Sequence, residues 1–133
     1  MLMDRAAVQA SQQAGRGALD ARPTMQHLGL QKSGAVARAG TLPGAVSLPG
    51  QWTTKNGGGY FRNSSTLKIL LARTKAKTEE DLFVFCNTGH WASLTWFVTS
   101  ELLGHKNLRL YDGSLADWTM QSGKELEHKI KLN

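Results

Sequence analysis

Residues 81–90, Asp-Leu-Phe-Val-Phe-Cys-Asn-Thr-Gly-His, decide the fold of this chain. The apolar run over residues 82–85 is uninterrupted, which is typical of a central parallel strand covered on both faces. Cys86 stands at the predicted carboxyl end of that strand, and Gly89 lets the backbone turn before a helix begins at His90. In open α/β sheets, ligands bind at the carboxyl ends of the strands, so this junction is the predicted functional site.

Outward from this stretch, predicted helices alternate with predicted strands. The helices are expected over residues 4–14, 23–28, 65–74, 90–103 and 114–120. The further strands are expected over residues 17–20, 45–48 and 108–111, and a glycine-rich exposed loop over residues 50–59. This alternation predicts an α/β domain of three layers, with a central, mostly parallel sheet and helices on both faces.

The length of 133 residues fits one domain. We expect an N-terminal extension or short helix over residues 1–16, the domain over residues 17–120, and a charged, partly disordered tail over residues 121–133. The hydrophobic fraction of 41% is sufficient for an ordinary core without disulfides or metal staples. No stretch has the apolar core of a signal peptide or the length of a membrane span, so the sequence predicts a soluble, cytoplasmic protein that does not bind membranes.

The charge of the chain favours anionic partners. The formal net charge is +6 and the pI is about 9.8. The basic residues are scattered rather than interleaved with aromatic residues in one run, so nucleic acid is not a predicted partner. The positive field is instead expected to draw in a dianionic substrate.

Cys86 is the only cysteine, so the chain cannot form an intramolecular disulfide, and no Cys/His cluster has the spacing of a zinc site. A helix start supplies unpaired N–H groups and a partial positive charge, which favour the reactive thiolate. The turn at Gly89 allows successive amides to point inward and bind an anion. A strand, a cysteine, a loop and a helix in this order also occur in phosphatases and arsenate reductases.

The spacing after the cysteine separates these alternatives. Cysteine phosphatases have the pattern Cys-x5-Arg, in which the arginine binds the phosphate with two hydrogen bonds. The residue six positions after Cys86 is Ala92, and the nearest following arginine is Arg109. The loop therefore lacks the group that phosphoryl transfer requires, and a phosphatase is disfavoured.

Several segments, in order, resemble the motifs of the rhodanese family of sulfurtransferases. They are Leu-Asp-Ala-Arg at residues 19–22, Arg-Ala-Gly-Thr-Leu-Pro-Gly-Ala at 38–45, Cys-Asn-Thr-Gly-His-Trp-Ala-Ser at 86–93, and Leu-Leu-Gly at 102–104 followed by Leu-Tyr-Asp-Gly at 110–113 with Trp118. The resemblance covers residues 17–118 and implies a rhodanese-like fold. The chain looks like the active, second domain of a tandem rhodanese.

The resemblance also implies a mechanism. Cys86 would be the catalytic nucleophile that takes the outer sulfur from a small anionic donor such as thiosulfate and passes it to a thiophilic acceptor, cyanide or a thiol. The persulfide would lie within the loop of Asn87, Thr88, Gly89, His90, Trp91 and Ala92. No cofactor and no metal are implied. The alternative is a persulfide carrier or sulfur-sensing module that serves a sulfur-accepting protein; a regulatory binding domain is disfavoured because such domains commonly lose the cysteine.

Some positions depart from the family's pattern. Trp91 stands where the family often has arginine or threonine, and is interpreted either as packing or as a wall of the substrate pocket. Gln26 falls where animal members carry a substrate-binding arginine, so the identity of the donor stays open. Ser114 stands where a second glycine is frequent and is interpreted as structural. Asp20 and Arg22 are expected to form an ion pair that supports the loop.

Overall fold

The computed structural model describes residues 1–56 and 58–132. The helices are Arg5–Gln13 (α1), Thr24–Leu28 (α2), Ser64–Arg73 (α3), His90–Trp96 (α4) and Ser114–Trp118 (α5). The strands are Ala18–Asp20 (β1), Val46–Ser47 (β2), Thr54–Lys55 (β3), Tyr60–Phe61 (β4), Leu82–Phe85 (β5) and Leu108–Leu110 (β6). No helix in the described part of the chain is long and apolar enough to cross a membrane.

The main sheet has four parallel strands in the order β2-β1-β5-β6. In its register Leu19 lies opposite Val84, and Val84 lies opposite Leu110. The N-terminus lies alongside β6, because the amide of Met3 donates to the carbonyl of Leu110 at 2.8 Å. The two central strands, β1 and β5, therefore meet at the middle of one edge, where Cys86 follows β5.

Helices cover both faces of this sheet, because successive side chains of a strand point to opposite sides. Phe83 and Phe85 pack with Val8 of α1 and Leu115 of α5 in one buried cluster. A second cluster lies on the other face of the sheet. It consists mainly of Leu19 of β1, Leu82 and Val84 of β5, Cys86, Leu71 of α3 and Ala92 of α4. The predicted three-layer α/β architecture is confirmed.

Local sequence explains where the longer helices begin. The carboxylate of Asp4 accepts a hydrogen bond from the amide of Ala7, and the side chain of Asn63 accepts one from the amide of Thr66. Each caps an amide that has no partner within the helix. Gly29, in the left-handed region at φ 89°, ends α2.

The predicted exposed loop over residues 50–59 is wrong in part. Residues Gly50–Thr53 form a 3₁₀ turn, and β3 pairs with β4 as an antiparallel hairpin in which Lys55 lies opposite Tyr60. The glycines concealed the pattern, since they suggested a loop, whereas Gly58 and Gly59 lie in the turn of the hairpin. Gly58 and Gly59 adopt positive φ angles of 121° and 93° there. Gly57 lies outside the described residues.

The single helix predicted over residues 90–103 is also corrected. The α-helical part, α4, ends at Trp96, and a π-helical segment Phe97–Leu102 continues it. The amide of Leu103 bonds to the carbonyl of Val98, five residues back, at 2.9 Å. The wider turn accompanies burial of three successive residues, 98–100, which apolar periodicity alone does not indicate.

Several C-terminal residues contact the domain in the region where the sequence predicted a charged, partly disordered tail; Asn133 lies outside the described residues. Glu127 exchanges two backbone hydrogen bonds with Thr41, at 2.9 and 2.7 Å. The indole N–H of Trp118 donates to the carbonyl of Glu125 at 2.9 Å. The amide of Ile130 donates to the carbonyl of Leu28 at 3.2 Å. On the side of the tail, backbone groups make these contacts, so the charged side chains of the tail did not indicate them.

Candidate active site

Cys86 is the first residue after β5, a strand whose four residues are all buried. The neighbouring strand β1 stays paired up to this point, because the amide of Ala21 donates to the carbonyl of Phe85 at 2.9 Å. The Cys86 side chain is 0% exposed and points to the face that α3 and α4 cover. The strand ladder thus fixes the position of the sulfur from below, and the following turn determines what lies above it.

Gly89 directs a backbone donor at the sulfur. Its φ is 101°, a backbone conformation that residues other than glycine rarely adopt. A Cβ atom at this position would lie 2.7 Å from Oδ1 and 2.8 Å from the backbone oxygen of Asp112. The turn brings the Gly89 N–H to 3.0 Å from Cys86 Sγ. Replacement of this glycine would therefore displace the donor.

The first amides of α4 lie next to the same turn. The amide of Ser93 makes a hydrogen bond of this helix back to the carbonyl of Gly89, at 3.0 Å. The amides of His90, Trp91 and Ala92 precede it, so they have no acceptor within the helix. Together with the Gly89 amide they can stabilise a negatively charged sulfur, by hydrogen bonds and by the positive end of the helix dipole.

Ser114 fixes the backbone of Cys86 from the start of α5. Its hydroxyl accepts from the Cys86 amide at 2.9 Å, donates to the carbonyl of Tyr111 at 2.9 Å, and lies 3.9 Å from Cys86 Sγ. Ser114 is buried with φ of 54°, a left-handed conformation that is unfavourable for serine. Sequence reasoning treated this position as structural only. Its closeness to Cys86 arises because β6 lies beside β5.

The other predicted loop residues have different surroundings. The Asn87 side chain is buried and donates from Nδ2 to Oε1 of Gln26 in α2 at 2.8 Å, while its Oδ1 has no hydrogen-bond partner among the described residues. Thr88 and His90 are exposed. Two further side chains point inward: Trp91 is half-buried and Ala92 is fully buried, both in the cluster that contains Cys86.

Trp91 packs over Gly50, the first residue of the 3₁₀ turn that follows β2. A Cβ on Gly50 would lie 2.9 Å from the Trp91 carbonyl and 3.2 Å from its indole Cε3. The amide of Gly50 in turn donates to the carbonyl of Ala21 at 2.9 Å. The indole therefore fills the space beside the loop in which the family often has arginine or threonine.

Asp20 is the acceptor at the centre of a buried polar network under the loop. Arg22 donates to it from Nε at 3.0 Å and from Nη2 at 2.8 Å, and also binds the carbonyl of Gly40. His27 Nδ1 lies 3.0 Å and Thr41 Oγ1 lies 2.8 Å from the same carboxylate. Asp20 and Arg22 therefore form an ion pair at the end of β1, beside the strand that leads to Cys86.

The surroundings of Asp20 affect its ionisation. Burial by itself would raise the pKa of this carboxyl, but the hydrogen bonds from His27 and Arg22 and the charge of Arg22 outweigh that effect. The pKa is lowered from an ordinary 3.8 to about 2. The carboxylate is consequently ionised at neutral pH and stays paired with the guanidinium.

Metal binding and phosphoryl transfer require groups that this region does not bring together. Among residues 1–56 and 58–132, no three His, Cys, Asp or Glu side chains are grouped so that they could bind a metal ion. Ala92, at the position of a phosphatase arginine, is fully buried in the apolar cluster. The site provides a buried thiol, the Gly89 amide directed at its sulfur, and the Ser114 hydroxyl that is bonded to the Cys86 amide.

The described part of the chain is therefore an α/β domain with a buried cysteine at the carboxyl end of a parallel strand and the amide of a glycine turn at the sulfur. A family model described as a rhodanese-like domain matches residues 4–121. The chain belongs to this rhodanese-like family, as its motifs predicted.

Relatives named as a sulfurtransferase and as a sulfur carrier agree with this assignment. A thiosulfate sulfurtransferase from Corynebacterium glutamicum is 36% identical over 136 residues, which cover 92% of this chain and 44% of the relative. The sulfur carrier protein TtuD from Thermus thermophilus is 33% identical over 113 residues, or 78% of this chain and 39% of the relative. The structure of Tum1 from Saccharomyces cerevisiae superposes with a TM-score of 0.77 over 92% of this chain and 44% of that one, at 23% identity, so this likeness concerns the fold alone.

The chain spans only part of the length of these relatives. A protein from Mycolicibacterium smegmatis is 37% identical over 91 residues, which amount to 68% of this chain but 32% of the relative. The aligned relatives thus contain one region like this chain together with a larger remainder.

Proposed function

We propose that this protein is a sulfurtransferase in which Cys86 accepts sulfane sulfur as a persulfide and passes it to a thiophilic acceptor. The observation that carries the proposal is the position of Cys86 Sγ, which lies 3.0 Å from the Gly89 amide at the start of a helix. The names of the relatives, thiosulfate sulfurtransferase and sulfur carrier protein, support the same chemistry. We place the activity in the cytoplasm, where a free thiol stays reduced.

The first half-reaction loads the cysteine. The Cys86 thiolate attacks the outer sulfur of thiosulfate and forms a new S–S bond, while the original S–S bond breaks and sulfite leaves with the electron pair. The negative charge moves to the terminal sulfur of the persulfide. We propose that the amides of residues 87–92 stabilise this charge, since they are fixed before the reaction and need no reorganisation.

The second half-reaction unloads the persulfide. A nucleophile such as cyanide attacks the terminal sulfur, the S–S bond breaks, and the electron pair returns to Cys86 as the thiolate. The product with cyanide is thiocyanate. Because the donor product leaves before the acceptor reacts, ping-pong kinetics are expected.

The residues around the loop bear on the choice of donor. The indole of Trp91 provides no charge for a sulfonate, and the amide of Gln26 is already hydrogen-bonded to Asn87. The exposed His90 ring can donate a hydrogen bond to an incoming dianion, and the overall charge of +6 attracts such an anion. We therefore expect thiosulfate to load Cys86 slowly, and other sulfane sulfur donors to compete with it. In this proposal Asp20 and Arg22 support the loop and touch no substrate.

A second candidate function is a persulfide carrier or sulfur-sensing module that serves a protein partner. The relative named as a sulfur carrier protein favours it, as does the complete burial of the Cys86 side chain. The two functions share the persulfide and differ in turnover. The enzyme predicts saturable formation of thiocyanate from thiosulfate and cyanide, whereas the carrier predicts a long-lived persulfide with slow turnover.

The test is the intact mass of the protein after incubation with thiosulfate, before and after addition of cyanide. The wild type should gain one sulfur and lose it to cyanide with release of thiocyanate, and the Cys86→Ser variant should gain none. A matched control carries Cys86→Ser together with Thr88→Cys, which moves the only thiol two positions along the loop. It should load at least about tenfold more slowly, since the amides are directed at position 86.

Failure of the wild type to gain sulfur from thiosulfate, mercaptopyruvate or polysulfide would overturn the proposal. Equal loading of the control with the relocated thiol would also contradict it, because the fixed amides would then contribute nothing.

A further inference from the structure

Four aromatic side chains are exposed beside the Cys86 loop, and we call them the aromatic face. Tyr60 is 78% exposed, Trp52 43%, Phe97 40% and Phe61 36%. They lie on the 3₁₀ turn after β2, on the β3–β4 hairpin and at the end of α4. Tyr60 and Phe61 are consecutive in β4, so Tyr60 points to the side of the hairpin that carries Lys55, and Phe61 points to the side of Phe97. Single exposed aromatic residues need no explanation, but four on one hairpin and its flanking segments indicate an interaction surface.

Packing contacts and one side-chain hydrogen bond connect the aromatic face to the active site. Its 3₁₀ turn begins at Gly50, which packs directly against Trp91 of the persulfide loop. The rings of Phe61 and Phe97 stack with their centroids 5.6 Å apart, so the hairpin lies against the helical segment that continues from α4. Arg62 Nε donates to the carbonyl of Trp52 at 2.7 Å, so the Arg62 side chain lies beside the 3₁₀ turn. The face is therefore a built part of the domain that begins next to the loop.

The charged residues of the hairpin are basic. Residues 50–63, which include the hairpin, contain Lys55 and Arg62 and no aspartate or glutamate. Glu101, on the helical segment of Phe97, is exposed and is paired with Lys106. Lys55 is exposed and pairs directly with Tyr60 across the hairpin. Asp112, whose carboxylate lies near Gly89, follows β6, which is on the other side of β5 from β1 and β2. A partner that carries carboxylates is thus attracted to the hairpin side of the loop.

We propose that the aromatic face with Lys55 and Arg62 docks an acidic protein segment whose thiol accepts the sulfur from the Cys86 persulfide. This inference rests on the proposed function and assigns the class of acceptor. Apolar side chains of the segment contact Trp52 and Tyr60, and its carboxylates lie near the two cations. Such steering raises the rate of association more than it raises the affinity.

The transfer step needs no additional oxidant or reductant. The acceptor thiolate attacks the terminal sulfur of the Cys86 persulfide, and a new S–S bond forms on the acceptor. The Cys86 Sγ–S bond breaks, and Cys86 leaves as the thiolate with the electron pair. The terminal sulfur keeps its negative charge as it moves to the acceptor, so the acceptor becomes the persulfide and the enzyme returns to its starting state.

A second copy of this chain fits the surface less well. An isologous dimer would place the same basic hairpin opposite itself, and each copy has a net charge of +6. Like charges at such an interface are repulsive. The acidic partner follows from the sign of this charge.

The experiment uses the full chain, loaded with sulfur from thiosulfate or polysulfide, and two synthetic peptides. Both contain one leucine and one cysteine; glutamates surround them in the first peptide and lysines in the second. We expect the glutamate peptide to take sulfur at least about tenfold faster than the lysine peptide at low salt, with the difference shrinking as salt screens the charges. Transfer is measured as the mass of the peptide persulfide after trapping with an alkylating agent.

Matched variants locate the effect. Lys55→Glu and Tyr60→Ser should each remove most of the preference for the glutamate peptide and leave the rate with cyanide unchanged. Lys131→Glu and Met120→Ser change an exposed charge and an exposed apolar side chain away from the aromatic face. These two controls should keep the preference.

Several outcomes would overturn the proposal while leaving the proposed function intact. One is equal transfer to the two peptides by an enzyme that turns over with cyanide. Another is a preference that survives both Lys55→Glu and Tyr60→Ser. A third is a dimer, detected by light scattering, that dissociates on Tyr60→Ser, since the face would then bind a second copy. Failure to load sulfur at all would instead refute the underlying function.

Discussion

At the scale of single residues, Cys86 is positioned by backbone groups and one hydroxyl rather than by charged side chains. The strand β5 delivers it, the turn at Gly89 aims an amide at the sulfur, and Ser114 accepts the hydrogen bond from the Cys86 amide. Backbone dipoles of this kind change little when a small anion binds, because the fold keeps them oriented. Preorganised donors are the groups expected to favour a charge that develops during reaction.

Ser114 provides a test of how much this positioning contributes. Ser114→Ala removes the acceptor of a buried amide and retains the left-handed backbone, so the free energy of unfolding should fall by about 1–3 kcal/mol. Ser114→Gly removes the same hydroxyl but adopts a φ of 54° without strain, and should lose about 1 kcal/mol less. Urea unfolding of the three proteins measures the difference.

Loading with sulfur should slow in both variants, because both free the Cys86 backbone from the hydroxyl. Variants that load at the wild-type rate would show that the β5 ladder alone positions the cysteine. A Gly variant less stable than the Ala variant would contradict the strain at this position.

At the scale of elements, the segments outside the main sheet support the site. The 3₁₀ turn that leads into the β3–β4 hairpin packs against Trp91 at Gly50. In the C-terminal tail, Glu127 pairs with Thr41 through backbone hydrogen bonds. Thr41 itself binds the carboxylate of Asp20 at 2.8 Å. The tail therefore braces the network under the loop, although it lies outside the residues that match the family model.

Deletion of residues 123–133 tests this bracing. It removes the backbone hydrogen bonds of Glu125, Glu127 and Ile130 together with the partly buried Leu126. At about 1 kcal/mol for each net hydrogen bond, the free energy of unfolding should fall by roughly 2–4 kcal/mol. The measurement is urea unfolding, with Lys131→Ala as a control that leaves the backbone contacts in place.

The deleted protein should still accept sulfur at low temperature, because none of these residues touches Cys86. Unchanged stability after the deletion would show that the tail is not part of the folded unit.

At the scale of the whole molecule, stability depends on carboxylates that are paired in the folded state. Hydrogen bonds and charges from their partners lower the pKa of Asp20, Asp117 and Glu127. Asp117 is paired with Arg5, so it joins α1 to α5, whereas Asp20 joins three segments of the chain: the end of β1, α2 and the segment that carries Thr41. A carboxyl whose pKa is lower in the folded state stabilises the fold above its ordinary pKa, and this contribution is lost as the pH falls through the folded value.

Acid should therefore unfold the protein in a defined window. For Asp20 the ordinary pKa is 3.8 and the folded pKa is about 2, so its contribution falls away below about pH 4 and is lost near pH 2. Thr41→Val removes one donor to this carboxylate and should move the loss to higher pH. The measurement is the free energy of unfolding between neutral pH and about pH 2.

The exposed Asp81 offers a control, since Asp81→Asn should leave the profile unchanged. A wild-type profile that stays flat through this window would contradict the role of Asp20. The predicted division into residues 1–16, 17–120 and 121–133 stays a prediction. Met1 and Met3 bond to β6 and Glu127 bonds to Thr41, so both flanks contact the domain in the folded chain.

The sequence by itself determined the order of the helices and of the four strands of the main sheet along the chain, the parallel sheet, and the place of Cys86 at the end of a central strand. These features are local: an apolar run as in β5, a capping Asn63, and a turn at Gly89 depend on neighbouring residues along the chain. For the same reason the glycine-rich stretch over residues 50–59 misled, because a turn and a loop share the same local composition.

Only the tertiary structure decided which groups surround the sulfur and which surface lies beside it. Ser114 reaches Cys86 because β6 pairs with β5, and Gly50 meets Trp91 because β2 ends at the same edge of the sheet. The aromatic face exists because Phe61 stacks on Phe97, thirty-six positions away in the sequence. Strand pairing brings distant residues together by hydrogen bonds between backbones, and backbone hydrogen bonds leave little trace in the identity of the side chains.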